Sequence, residues 1–162
     1  MMNVIEYAIQ MELDGEKFYR EQAENNKGNS LYTVCLKLAE DEQKHAAILK
    51  NKLNKLPYEL TDSSITLDTK NVFAEAEDIK LNTKAEPSQL DFYRIASAKE
   101  QESIDLYEDF LTKATDDKDQ ELFKYLIKQE RQHLAFLEEL VSLLRKGEEW
   151  VESAEFGLRE EY

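Results

Sequence analysis

The chain has 162 residues, a length typical of a single domain with a sizeable buried core. Its formal net charge of −14 disfavours nucleic acid and anionic membranes as partners, because both would be repelled. Four glycines and two prolines allow few turns, which favours long amphipathic helices over a sheet.

The first part of the chain predicts two helices joined by a short loop. One is predicted from about residue 3 to residue 24, where apolar side chains recur every three or four positions. The next is predicted to follow Asn29 or Ser30, either of which can act as its N-cap, and to end at Pro57. Because short loops join antiparallel neighbours, these two helices are predicted to form a hairpin.

A second helical hairpin is predicted after a long connection, residues 57–87. A short apolar piece of that connection, residues 72–76, is predicted to form a small helix packed on the bundle. The third helix is predicted to begin after Pro87 with Ser88 as its N-cap, and a break at 115–117 separates it from the fourth. The connection is long enough to travel the length of the bundle.

The fourth helix is predicted to end near Gly147, which sets the predicted domain boundary. Residues 1–147 are predicted to form one all-α domain, an antiparallel four-helix bundle built from two helix-pair repeats with a long crossover connection. Residues 148–162 form a tail in which Trp150 and other apolar side chains predict docking on the bundle or on a partner.

One pattern of residues occurs in both hairpins with the same spacing. A lone glutamate on the first helix of each pair is followed, on the second helix, by Glu-x-x-His. No gap is needed to align the two copies, although most of their neighbours differ, so the chain consists of two copies of one helix pair. The six residues of the pattern are Glu12, Glu42, His45, Glu100, Glu130 and His133.

These six residues fall where the helical rhythm calls for apolar core residues. Burying four unpaired carboxylates would cost several kcal/mol each or force them to protonate. Two divalent cations would supply the compensating charge, and both side chains of Glu-x-x-His can reach the same ion. The lone glutamates, Glu12 and Glu100, are predicted to complete and bridge the ion pair, as in di-iron and di-manganese carboxylate proteins. Mixed oxygen and imidazole ligands predict two iron ions, with manganese or a mixed pair as the alternatives.

Asp41 and Gln129 each stand one turn before a histidine of the pattern. Either side chain can orient an imidazole through its ring N–H. A carboxylate raises the basicity of that imidazole more than an amide does, so the two metal positions are predicted to differ. The alternative is that both residues face solvent.

Tyr19 and Tyr107 stand two turns after the lone glutamates, within reach of a ligand carboxylate across the bundle. The alternative is a pair of core tyrosines whose hydroxyls are satisfied elsewhere. No catalytic residue is predicted beyond the metal centre. Cys35, the only cysteine, is predicted to be a small buried hydrophobic residue, because no histidine lies near it on its helix.

The motifs at residues 11–19 and 41–45 resemble those of the rubrerythrin branch of the ferritin-like superfamily. The resemblance covers about residues 3–146 and implies a ferritin-like fold with a non-haem di-iron centre that reacts with hydrogen peroxide or dioxygen. Carried over position by position, it implies that the iron ligands are Glu12, Glu42, His45, Glu100, Glu130 and His133.

Two departures from the family pattern bear on function. Rubrerythrins proper carry a rubredoxin domain with four cysteines, whereas Cys35 is alone here, so electrons are expected from a separate donor such as a rubredoxin-like protein. The third helix of typical rubrerythrins also carries an additional glutamate one turn beyond its first ligand, and here that position is Ser103. Redox-linked ligand switching through that carboxylate is therefore not expected.

Together these features predict a non-haem di-iron oxidoreductase that reduces hydrogen peroxide or dioxygen in oxidative-stress defence. A ferroxidase or iron-storage protein is the first alternative, and a non-catalytic helical interaction module is the second. The N-terminal residues lack the basic and apolar regions of a signal peptide, and no apolar run reaches the ~20 residues that span a bilayer. A cytoplasmic location is therefore expected, and a homodimer is the expected oligomer.

Overall fold

The computed structural model describes residues 2–28, 31–63 and 87–160, and side-chain surroundings in the last range from residue 90 to residue 142. Within those ranges the chain forms helices and no strand. The helices are α1 (Val4–Asn25), α2 (Leu31–Leu53), α3 (Pro87–Lys113) and α4 (Asp117–Glu160). α1 packs along α2 and α3 packs along α4, which confirms the all-α bundle of two helix pairs.

The starts of α1 and α3 show how local sequence sets the helix ends. The side chain of Asn3 accepts a hydrogen bond from the backbone N–H of Glu6 at 2.8 Å, and the Glu6 carboxylate accepts one from the Asn3 N–H at 3.4 Å. α3 begins at Pro87 itself, because proline suits a first helical position whose N–H has no partner within the helix. The prediction that Ser88 is the N-cap is therefore wrong, since Ser88 lies inside the first turn.

The ends of α2 and α4 differ from the predicted ones. α2 ends at Leu53, a few residues before Pro57 would stop it. α4 continues through Gly147 to Glu160, so the prediction that it ends near Gly147 is wrong. A glycine inside a helix costs only about 1 kcal/mol relative to alanine, and the good helix formers on both sides of Gly147 outweigh that cost. Docking of residues 148–162 stays a prediction, because their side-chain surroundings lie outside the described part.

Two predictions fall on residues outside the described ranges. These are the N-cap of α2 at Asn29 or Ser30, and the small helix at 72–76 within the long connection. No helix within residues 2–28, 31–63 and 87–160 is both long and apolar enough to cross a membrane.

The apolar core consists of two clusters that lie on either side of the bundle's middle. One joins the end of α1 and the start of α2 to the start of α3, with Tyr19, Leu38 and Tyr93 among its fully buried members. The other joins the opposite helix ends and includes Leu49 and Tyr107. Cys35 belongs to the first cluster, where burial raises the pKa of its thiol to about 12. The layer between the clusters holds the polar residues described next.

Candidate metal centre

The six residues of the repeated pattern come together at the middle of the bundle. α1 and α3 contribute one glutamate each, and α2 and α4 contribute one Glu-x-x-His each. Every one of the six side chains is buried, the most accessible being Glu42 with 4% of its surface exposed. The helical spacing therefore converges on one site, as the sequence predicts.

The ligand atoms form two overlapping groups, within each of which the atoms lie no more than 4.8 Å apart. The first group is Glu12, Glu42, His45 and Glu130, and the second is Glu42, Glu100, Glu130 and His133. Glu42 and Glu130 belong to both groups, so they are the carboxylates that would be shared if two ions were bound. The sequence assigned bridging to the lone glutamates, Glu12 and Glu100, which instead belong to one group each.

Buried atoms without hydrogen-bond partners show that these residues fit a metal site. Each of the four glutamates has one side-chain oxygen with no hydrogen-bond partner among the described residues, and His133 Nδ1 has none either. Such buried polar atoms ordinarily cost about 1–3 kcal/mol each. Metal ions would satisfy them, and the oxygen and imidazole donors suit iron or manganese.

The charges of the cluster are distributed unevenly over its carboxylates. Burial raises the pKa of Glu12, but the positive charge of His45 and hydrogen bonds outweigh burial and lower that pKa to about 2. Burial, together with the neighbouring carboxylates, instead raises the pKa of the shared Glu42 and Glu130 well above the usual value. Burial likewise opposes the charge of Glu100, but the positive charge of His133 and hydrogen bonds outweigh burial and lower the Glu100 pKa below its usual value. Glu12 and Glu100 are therefore the ionised carboxylates, whereas the shared glutamates hold protons that a metal ion would displace.

The two histidines are held with the same nitrogen directed at the glutamates. Nδ1 of His45 lies 3.0 Å from Glu130 Oε1, and Nδ1 of His133 lies 3.3 Å from Glu100 Oε1. Burial opposes a charge on His45, but the Glu12 carboxylate outweighs burial and raises the His45 pKa to about 10. Nδ1 is therefore the atom of each imidazole that would bind metal once its proton is lost.

Each Nε2 atom is held by a residue from the other helix pair. His133 Nε2 donates to Asp41 Oδ2 at 2.8 Å, and His45 Nε2 donates to Gln129 Oε1 at 3.3 Å. Asp41 is 4% exposed and Gln129 is 1% exposed, which rules out the solvent-facing alternative for both. Burial opposes the charge of Asp41, but the hydrogen bond from His133 lowers the pKa of Asp41 below its usual value. One imidazole therefore has an anionic partner and the other a neutral one.

Each of the two tyrosines also forms a hydrogen bond to a residue of the other helix pair. Tyr19 on α1 donates to Glu100 Oε1 on α3, and Tyr107 on α3 donates to Glu12 Oε1 on α1, both at 2.5 Å. Burial and the negative charge of the accepting glutamate raise the pKa of each phenol well above its usual value. Both tyrosines therefore keep their protons and fix the orientation of the lone glutamates.

Replacement of Tyr107 by phenylalanine is expected to lower the free energy of unfolding by about 1.5–3 kcal/mol, because a hydrogen bond to an ionised carboxylate is lost. Tyr93→Phe is a matched control, since its hydroxyl is equally buried but has no partner among the described residues. That variant is expected to be neutral or stabilising. Urea unfolding of both proteins, prepared without metal, gives the comparison, and equal losses would contradict this role for Tyr107.

Ser63 is a supporting residue that sequence reasoning missed. It follows α2, is fully buried, and its hydroxyl donates to Asp41 Oδ2. Nearby, Tyr125 donates to the backbone oxygen of Thr61 at 2.6 Å, and Lys44 donates to the same oxygen at 3.4 Å. These contacts hold the segment 58–63 over the α2 and α4 side of the centre. No helical periodicity or motif marks a loop serine, so the sequence contained no signal for it.

The family model described as Rubrerythrin matches residues 3–141. The matched range runs from the N-cap of α1 into α4 and includes all six residues of the repeated pattern. Comparison with curated proteins and with solved structures gives no match.

Proposed function

Because the chain belongs to the rubrerythrin family, a ferritin-like di-iron family, we propose that it is a non-haem di-iron oxidoreductase that reduces hydrogen peroxide. The observation that supports this most directly is the pair of buried ligand groups that share Glu42 and Glu130. Iron bound by these residues would supply the two electrons that cleavage of an O–O bond requires. Dioxygen is the second oxidant that the same centre would accept.

The chain's own residues hold and shield that centre. His45 and Glu12 would hold one ion, and His133 and Glu100 the other, with two carboxylates shared between them. The apolar clusters exclude water from the two ends of the centre, which strengthens the hydrogen bonds from Tyr107 and the other buried supporting residues. These bonds keep the ligands in one geometry while the charge of the centre changes.

The electrons are proposed to come from a separate donor, such as a rubredoxin-like protein. Cys35, the only cysteine of the 162 residues, lies in the apolar core with a raised thiol pKa, so it is not a candidate redox group. A cytoplasmic homodimer is the proposed setting, since a reducing compartment suits a ferrous resting state.

Rapid mixing of the ferrous protein with hydrogen peroxide and, separately, with dioxygen tests this function. We expect faster oxidation by peroxide, followed by re-reduction when a rubredoxin-like donor is added. Equal or slower oxidation by peroxide would reject the peroxidase assignment. The iron-storage alternative predicts two other results. The protein would oxidise added Fe(II) repeatedly with dioxygen, and size-exclusion chromatography would show a shell of many subunits.

A further inference from the structure

A cavity of about 330 Å³ connects the metal centre to the surface between α1 and α3. Its inner wall includes the carboxylates of Glu42 and Glu100, and its outer wall includes Tyr7, which is 54% exposed. Among residues 2–28, 31–63 and 87–160, none closes this path to the centre. On the opposite side, Ser63 and its neighbours cover α2 and α4.

The cavity is lined by two residues that occupy equivalent positions in the two helix-pair repeats. Gly15 and Ser103 occupy equivalent places on α1 and α3, and both line it. A Cβ atom on Gly15 would come within 3.1 Å of Glu42 Oε2. The Ser103 hydroxyl donates to the Lys99 backbone oxygen at 3.1 Å, and its Oγ lies 3.5 Å from Met11 Sδ. Two small residues at these places leave the space open.

The size of the cavity exceeds what hydrogen peroxide needs. A cavity needs only about 10–15 Å³ by this measure to hold one water molecule, so 330 Å³ is far more than one small molecule requires. Its volume lies at the lower end of the range for sites that bind small organic molecules, about 300–1,000 Å³. Met2, Tyr7 and Met11 give its outer part apolar surface.

The charges around the mouth select against anions. Asp14 and Glu102 both line the cavity and are exposed. The cation there, Lys99, lies with its Nζ 5.2 Å from the centre of the Phe18 ring. With a net charge of −14 on the whole chain, a neutral ligand is favoured over a carboxylate or phosphate.

We propose that this cavity binds the organic group of a small neutral hydroperoxide, R–O–O–H, with its O–O bond beside Glu42 and Glu100. This proposal rests on the proposed peroxide reduction. The O–O bond breaks, two electrons and two protons are taken up, and the products are the alcohol R–OH and one water. The electrons are the two that the proposed reaction already uses, and the protons come from solvent at the open mouth.

Ser103→Leu tests this proposal because leucine would fill the cavity beside Met11. The ratio of kcat/KM for tert-butyl hydroperoxide to that for hydrogen peroxide is the measured quantity. We expect Ser103→Leu to lower the value for the organic peroxide about tenfold, and the value for hydrogen peroxide less than about threefold. Gln101→Leu adds the same side chain at an exposed position of α3 and is expected to change neither.

Binding can be measured without turnover. The chain has three methionines, so [methyl-13C]methionine labelling gives few NMR signals, among them that of Met11 in the cavity wall. Adding tert-butanol, the product alcohol, to zinc-loaded protein is expected to shift the Met11 signal in the wild type and in Gln101→Leu. Ser103→Leu should lose that response, and Ser103→Val is the milder substitute if the leucine variant does not fold.

The outcomes separate the two proposals. If the wild type reduces neither peroxide, the proposed function fails. If it reduces hydrogen peroxide but Ser103→Leu lowers both kcat/KM values equally, or tert-butanol leaves Met11 unshifted, the organic-hydroperoxide site is rejected and the proposed function stands.

Discussion

Removal of metal with a chelator is expected to lower the thermal midpoint of unfolding by about 10–20 °C. Each ion bound at about 100 times its dissociation constant stabilises the folded state by about 2.7 kcal/mol, and two ligand groups are present. For a chain of this size, 1 kcal/mol corresponds to about 2–4 °C. Anaerobic calorimetry with and without Fe(II), together with metal analysis, measures the shift and the expected two ions per chain.

Glu130→Gln is expected to abolish most of the rise in thermal midpoint that Fe(II) causes. Burial and the charges of Glu100 and Glu12 raise the pKa of Glu130, so the neutral amide resembles the protonated carboxyl and should fold normally without metal. It removes a carboxylate shared by both groups, and most of the Fe(II)-dependent shift should disappear. Glu138→Gln, an exposed position on the same helix, should retain the full shift. A wild-type midpoint that does not respond to Fe(II) would reject the metal centre.

Asp41→Asn is expected to weaken one of the two metal positions by about 10–100-fold and to leave the other nearly unchanged. The Asp41 carboxylate accepts from His133 Nε2, which raises the basicity of the nitrogen that faces the metal. The corresponding partner of His45 Nε2 is the neutral Gln129 oxygen, at 3.3 Å. Anaerobic Co(II) titration followed by visible absorption should show two binding steps in the wild type, the tighter one belonging to His133.

Two further variants test whether the difference between the two metal positions depends on Asp41. Ser63→Ala removes one hydrogen bond to Asp41 and should weaken the tighter step only a few-fold, because a typical hydrogen bond contributes about 0.5–1.5 kcal/mol. Asp105→Asn, at an exposed position of α3, should leave the titration unchanged. Two equal binding steps in the wild type would contradict the prediction that the two metal positions differ in affinity. A titration of Asp41→Asn identical to that of the wild type would contradict it as well.

The sequence predicted the helices most securely where periodicity is strong and least securely at their ends. Asn3 capped α1 through a local hydrogen bond, and such local signals are legible in a sequence. Gly147 did not end α4, because the helix-forming residues around it outweigh one unfavourable residue. Ser88 did not cap α3, because Pro87 was itself acceptable as the first helical residue.

For the metal centre, the sequence by itself determined which six residues face the core and which belong to one helix pair. That information is contained in helical spacing, because residues three or four apart share a face. The range that matches the rubrerythrin family, residues 3–141, contains all six.

Only the tertiary structure decided how the two halves meet. Tyr19 donates to Glu100 and His133 donates to Asp41, each across the bundle. Ser63 donates to Asp41 from the segment that follows α2. The same packing placed Glu42 in both candidate ligand groups and left the cavity beside Gly15. Spacing along one helix fixes directions relative to that helix alone. Distances between helices depend on how the whole core packs, so these contacts could not be read from either repeat.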